Sequence, residues 1–282
     1  MNRSFFMLAV VDRVAFEFFG IAIYWYAIII VTGVIIAMFL SSREAVRVGL
    51  KADDVTDFML VGLPVALIGA RLYYVLFDLP TYLNDPLQIF NVRSGGLAIY
   101  GGLIAGGIWL VIFCRHHFIP IWKFLDIAAP SIILAQGIGR WGNFMNHEAY
   151  GAVTTKDFLQ NLHLPQFIID NMYIEGHFRQ PTFLYESVWN VLGFLILIIL
   201  RNKNVFKEGE VFLSYIIWYS LGRFFIEGMR SDSLYLFGSI RISQALSFIL
   251  FFGAWGILIY RRKNNQKLKD YDRSHGSNRF LI

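Results

Sequence analysis

Seven apolar runs, at approximately residues 22 to 41, 55 to 77, 95 to 114, 125 to 145, 183 to 200, 210 to 229 and 241 to 260, constrain this chain more than any other feature. Each is about as long as a helix needs to be to cross ~30 Å of hydrocarbon. Lipid offers no partner for unpaired backbone groups, so a run of this kind must be helical. The gaps between runs leave no room for a separate soluble domain. Composition agrees, since 16% of the 282 residues are charged and 56% are hydrophobic, against about 25% charged in soluble domains. The expectation is an all-α integral membrane protein with seven transmembrane helices, one domain over residues 1–260 and a basic tail over 261–282.

The first twenty residues carry Asp12, Arg13 and Glu17 and no small-residue cleavage site, so they read as an interfacial segment and not as a removed leader. Cytoplasmic loops retain Lys and Arg. Of the 25 such residues, fifteen fall on one side, among them Arg43, Arg47, Lys51, Arg115, Lys123, Arg201, Lys203, Lys207 and seven in the tail. Seven fall on the other side: Arg3, Arg13, Arg93, Lys156, Arg179, Arg230 and Arg241. The N-terminus is therefore expected outside and the C-terminus in the cytoplasm. This distribution accounts for the formal charge of +5 without nucleic-acid binding. The tail, with Arg261, Arg262, Lys263, Lys267 and Lys269, fits an anchor to anionic lipid or a disordered solvated end. The long connection at 146 to 182 mixes polar residues with Phe158, Leu159, Phe167, Ile168 and Ile169, and is expected to form a small outer cap between the fourth and fifth spans. A single cysteine, Cys114, excludes an intramolecular disulfide, a Cys-based zinc site and an iron–sulfur cluster.

Three arginines, Arg71, Arg140 and Arg223, lie inside the runs. Each opposes insertion by about 3 kcal/mol, so each needs a compensating partner. Internal pairing is one answer, with Glu227 four residues beyond Arg223. Helix direction supplies another. At ~1.5 Å per residue, all three arginines fall at one depth in the outer leaflet, where Tyr26, Tyr100, Tyr185 and Glu186 also fall. Gln136, Arg140, Asn143 and His147 recur at helical spacing along one face, as do Tyr219, Arg223, Glu227 and Arg230. Such stripes must face a protein interior or a wet cavity. Guanidiniums beside Asn and Tyr donors suit a phosphate, which arginine grips as a bidentate fork, and the phosphate at that depth belongs to a phospholipid. Glycines at 95–96, 101–102 and 106–107, with Gly62, Ala66, Gly69 and Ala70 in the preceding run, suit close helix packing. Gly95 and Gly96 alternatively let a headgroup approach the backbone.

Residues Gly139 to Gly151 read GRWGNFMNHEAYG, and this stretch resembles the signature of bacterial prolipoprotein diacylglyceryl transferases. Further matches are Tyr24-Trp25-Tyr26, Gly69-Ala70-Arg71-Leu72-Tyr73-Tyr74-Val75, the stretch from Gly95 to Gly102, Gln180-Pro181-Thr182 with Leu184-Tyr185-Glu186, and Gly222-Arg223-Phe224 with Glu227 and Arg230-Ser231-Asp232. The resemblance covers about residues 20 to 260. It implies transfer of the diacylglyceryl group of phosphatidylglycerol to the lipobox cysteine of a prolipoprotein, forming a thioether and releasing glycerol 1-phosphate. The setting it implies is the bacterial cytoplasmic membrane, multi-pass, with the site towards the outer leaflet and neither metal nor cofactor. By position, Arg140 and Asn143 match residues implicated in binding phosphatidylglycerol, and Arg223 matches a second essential arginine. Tyr26, Asn146, Glu148, Gly151, Glu227 and Arg230 align with other motif residues, and Arg71 joins the lipid-binding set by its depth. Many relatives have His at the position of Tyr100, proposed there as the base that takes the thiol proton. A tyrosine with a pKa near 10 is a poor base at neutral pH. His147 is an alternative acceptor, and Arg223 beside the thiol could instead lower its pKa. Cys114, His116 and His117 are assigned no chemistry. The rival reading is a transporter or lipid-binding scaffold for an anionic phospholipid, against which stands the lack of an internal repeat.

Overall fold

The computed structural model describes residues 11–91, 95–231, 235–236, 240–264 and 268–273. Arg3, Arg93, Asp232, Lys267 and Arg279 lie outside the described residues. In chain order the elements begin with β1 (Val14–Phe18), β2 (Ile21–Tyr24), α1 (Trp25–Arg47), α2 (Ala52–Phe77), α3 (Leu79–Asn84), a 3-10 turn at Pro86–Phe90, α4 (Ile99–His116) and α5 (Ile121–Asn146). The segment expected to form a cap holds β3 (Val153–Thr154), α6 (Lys156–Asn161), α7 (Gln166–Asn171), β4 (Tyr173–Ile174) and β5 (His177–Arg179). Then follow α8 (Thr182–Asn202), α9 (Glu210–Met229), β6 (Tyr235–Leu236), β7 (Ile240–Arg241) and α10 (Ile242–Asn264).

Among the described residues six helices, α1, α2, α4, α5, α8 and α10, are long and apolar enough to cross a membrane. The seventh expected span, α9, is a 20-residue helix but carries Glu210, Arg223 and Glu227, which lower its apolar character. Helix ends depart from the expected runs because hydropathy marks hydrocarbon, not hydrogen bonding. Helix α2 starts earlier, where Asp53 and Asp54 sit favourably at a helix N-terminus and the Lys51 N–H donates to Asp54 Oδ2 at 2.9 Å. The third run starts later, because Gly95 and Gly96 have φ of +87° and +75°, outside the helical region. The first run loses its opening residues to a hairpin in which β1 pairs antiparallel with β2.

The chain divides into two compact units. One consists of Met38–Ile127 and Asp272–Ile282. Here α2 and α4 meet through small residues. A Cβ on Gly69 would overlap the Cβ of Ala105 and the carbonyl of Gly101, and one on Gly101 would overlap the carbonyl of Gly69. In an aromatic cluster Phe58 packs edge to face on Phe113 and Phe124, which are tilted against each other, with centroids 5.1 to 5.9 Å apart. Buried Glu44 receives both Arg273 Nε and Nη2, at 2.8 and 2.9 Å.

The other unit consists of Met1–Ala37 and Ala128–Tyr271. Helix α1 lies against α5 where Gly142 meets the Tyr26 ring, Gly139 meets Ile30 and Gly33 meets Ala135. Between α8 and α9, Gly193 and Gly222 leave space for Trp218 and Trp189. The two indoles stack 4.4 Å apart, each donating to the other residue's carbonyl at 2.9 to 3.0 Å. The segment between α5 and α8 is folded around buried Phe144, Leu159, Ile168, Ile169, Met172 and Phe183.

The described part of the tail makes bonds to the chain itself. The N–H of Tyr271 donates to the Phe206 carbonyl and that of Glu208 to the Lys269 carbonyl, each at 3.0 Å. Arg262 makes two contacts of 2.6 and 2.8 Å to buried Glu210. These basic residues neutralise carboxylates and carbonyls of the chain itself, a use that charge counting along the sequence does not reveal.

Candidate active site

Arg140 stands near the C-terminal end of α5, Glu186 in the second turn of α8, and Arg223 and Glu227 one turn apart on α9. Glu186 is the hub. Arg140 contacts its Oε2 through Nε, and Arg223 Nη1 donates to its Oε1 at 2.6 Å. Arg223 Nη2 also reaches Glu227 Oε2 at 2.7 Å, and Arg230 lies 3.7 Å from the same oxygen. Both glutamates are buried, at 5% and 2% exposure, whereas the arginines retain 14 to 19% of their side-chain exposure. The carboxylates thus form the floor of the cluster, and the guanidiniums stand above it with partial access.

Arg140 Nη1 donates to Asn143 Oδ1 at 3.2 Å, and Asn143 Nδ2 donates to Glu148 Oε1 at 2.8 Å. The Tyr26 ring fills the notch over Gly142, where an added Cβ would approach it to 2.9 Å. Its phenol is within electrostatic reach of Arg140 and Glu148. Arg140, Asn143, Tyr26, Glu148, Arg223, Glu227 and Arg230 are therefore brought into one constellation within one unit. Three arginines against Glu186 and Glu227 leave one net positive charge, the exposed Glu148 not counted.

Other expected site residues take different places. Arg71 is 6% exposed, and its guanidinium is consumed by backbone. Its Nε donates to the Ile89 carbonyl, Nη1 to those of Gly95 and Gly96, and Nη2 to those of Gln88 and Asn91, at 2.5 to 3.1 Å. All five N–H groups are used, so in this conformation Arg71 pins the connection between α2 and α4 and offers no fork to a phosphate. The carbonyls of Gly95 and Gly96 are thereby committed to this cation. Tyr100 sits in the first turn of α4, in the unit that contains Arg71.

Helix α5 ends at Asn146, and His147 leaves the stripe with a φ of +53°. Its side chain hydrogen-bonds to Asn171 on α7. Burial holds the imidazole below its ordinary value despite that bond. Asn171 is itself buried, and its Oδ1 accepts from the Val11 N–H at 2.8 Å. Gly151 has a steric role. Its backbone bridges Arg230 and its N–H donates to the Gln180 carbonyl at 3.0 Å, while a Cβ would meet Gln180 and Thr182 at 2.8 and 3.0 Å. Asn146 is the last residue of α5 and is partly buried.

Glu186 lies in a family motif, but no role for it is legible in the sequence. The available signal was a carboxylate inside a span at the level of two unpaired arginines. Arg241 was counted only as a loop charge. Its guanidinium donates to the carbonyls of Glu227 and Arg230 at 2.6 and 3.1 Å, satisfying the C-terminal end of α9.

Several helices long and apolar enough to span a membrane, with an arginine–carboxylate cluster carried on α5, α8 and α9, define a multi-pass membrane protein. The family model for prolipoprotein diacylglyceryl transferase matches residues 13–260, and the chain belongs to that family. It is 67% identical over 268 residues to the phosphatidylglycerol–prolipoprotein diacylglyceryl transferase of Enterococcus faecalis, covering 95% of this chain and 96% of the relative. The proteins of the same name from Pediococcus pentosaceus and Lactiplantibacillus plantarum are 55% and 52% identical, over 94% of this chain and 95% and 94% of theirs.

Proposed function

We propose that the chain transfers the diacylglyceryl group of phosphatidylglycerol to the lipobox cysteine of a prolipoprotein, and that Arg140 and Arg223 bind the lipid phosphate during the transfer. The observation that carries this is the convergence of both guanidiniums on the two oxygens of Glu186. The Glu186 carboxylate holds the two guanidiniums side by side, and the net positive charge of the cluster matches the single negative charge of a phosphodiester.

The thiolate sulfur attacks the glycerol carbon that bears the phosphate ester. The carbon–sulfur bond forms as the carbon–oxygen bond breaks, and the electron pair departs with glycerol 1-phosphate. Charge builds on the leaving phosphate, where prepositioned guanidiniums stabilise it most. Asn143 orients Arg140 and is held in turn by Glu148, while Glu227 orients Arg223 and Arg230. The cationic field lowers the thiol pKa, so the proton leaves to solvent. In this account neither Tyr100 nor His147 serves as the base, and His147 holds α5 to the cap.

We place the N-terminus outside, the C-terminus in the cytoplasm and α9 across the bilayer as a seventh span, with the cluster towards the outer leaflet of the bacterial cytoplasmic membrane. The charged side chains of α9 are then paired within the protein, Arg223 with Glu186 and Glu227 and Glu210 with Arg262, and need no lipid contact.

The test incubates the purified chain with phosphatidylglycerol and a lipobox peptide, beside Arg140→Ala. A diacylglyceryl mass gain equal to the glycerol phosphate released, and lost in the variant, is the expected result. Lipid binding by folded protein with no mass gain would favour the scaffold or transporter reading.

A further inference from the structure

An open-sided cavity of about 260 Å³ runs between α1, α5 and α8. It adjoins the arginine cluster along two helices at once: Gly137, Ile138 and Trp141 flank Arg140 on α5, and Ser187 follows Glu186 on α8. From there it extends away from the cluster, to Val191 on α8 and past Ile29 to Thr32 on α1. Val191 lies about 7 Å further along its helix than Glu186, at ~1.5 Å per residue. Thr32 lies about 9 Å beyond Tyr26 by the same measure. Both displacements point towards the middle of the spans.

The polar groups of the lining are already satisfied. Thr32 Oγ1 donates to the Ile28 carbonyl at 2.8 Å, and Ser187 Oγ accepts from the Trp141 indole at 3.2 Å. What remains is an apolar trough. Gly137 keeps it narrow at α8, since an added Cβ would lie 3.3 Å from Asn190 Cβ.

We propose that this groove seats one acyl chain of the phospholipid substrate, and so makes the enzyme sensitive to chain length. The proposal rests on the reading that Arg140 and Arg223 hold the phosphate. A lipid anchored there must direct its chains towards the middle of the bilayer, and the groove begins beside the anchor and runs in that direction. Sequence periodicity could not reveal it, because it is formed by gaps between three helices.

The test compares wild type with Val191→Trp and Ile29→Trp, which fill the groove from two different helices, and with Leu192→Trp, an exposed α8 residue outside the lining. Each is assayed with phosphatidylglycerol of long and of short acyl chains. The expected result is that both filling variants lower the long-to-short ratio of kcat/KM by about tenfold, as losing burial of about two methylenes does, while Leu192→Trp keeps the wild-type ratio. Retention of the two lipids, measured by native mass spectrometry of the same proteins, should shift in parallel. That arm reads the groove even if no transfer occurs, which separates its failure from failure of the proposed reaction. An unchanged ratio in both filling variants, or an equal loss with both lipids, would overturn the proposal.

Discussion

At the scale of single residues, the site depends on one carboxylate shared by two arginines. Glu186→Gln keeps shape but removes the charge that aligns both guanidiniums. It should bind phosphatidylglycerol at least as tightly as wild type while kcat falls about tenfold, the worth of one charged hydrogen bond; a KM rise with kcat preserved would contradict the role given to Glu186. His147 lends itself to a pH test. Burial lowers its pKa in the folded protein, so the unfolded chain binds more protons at acid pH. The stability tied to neutral His147 is present above its unfolded value of about 6.5, and is lost as pH falls through the lower folded value. The thermal unfolding temperature of wild type should therefore fall as pH drops through that window, and His147→Gln should flatten the dependence while retaining most transferase activity. That Arg140, Asn143 and Arg223 need partners was legible in the sequence, because burying such groups unpaired is costly. The fate of Arg71 was not, since its partners are carbonyls supplied by a loop whose path no side-chain pattern encodes.

At the scale of elements, packing depends on which glycines actually face a neighbour. Gly69 lies against the backbone of α4, whereas Gly107 has nothing within 4 Å of an added Cβ. Gly69→Ala should cost about 2 kcal/mol by overpacking, seen as a lower unfolding temperature in detergent, and Gly107→Ala should stay within about 0.5 kcal/mol of wild type. Equal effects would mean that the α2 and α4 crossing is not set by these small residues. The apolar runs fall on the long helices among the described residues, six of them apolar enough to cross a membrane, because a hydrocarbon-length run leaves the backbone few alternatives. Their ends were less legible. Positive φ at Gly95 and the polar extensions of α2, α5 and α10 are local choices made outside the apolar windows. Helix α9 is the instructive case, since the residues that give it a role in the site also dilute its membrane signal.

At the scale of the whole molecule, the account requires the α5 to α8 connection to lie outside the cell and the α8 to α9 connection inside. A cysteine placed by His163→Cys in a Cys114→Ala background should react with a membrane-impermeant maleimide on intact cells. One placed by Asn204→Cys should react only after lysis. The reverse pattern would invert the topology and move the arginine cluster to the inner leaflet. Lysine and arginine counting made the orientation an inference from sequence, whereas the division into two compact units arises from contacts distant in the chain and had no sequence signal.

The central claim is that Arg140 works as a planar fork on the lipid phosphate and not merely as a positive charge. The direct measurement is kcat/KM for Arg140→Lys with phosphatidylglycerol and a lipobox peptide, in protein shown to be folded. The charge is kept and the fork is lost, so the account predicts a fall of about 100-fold, the scale of removing one positioned donor from a developing anion. A near-normal value would contradict it.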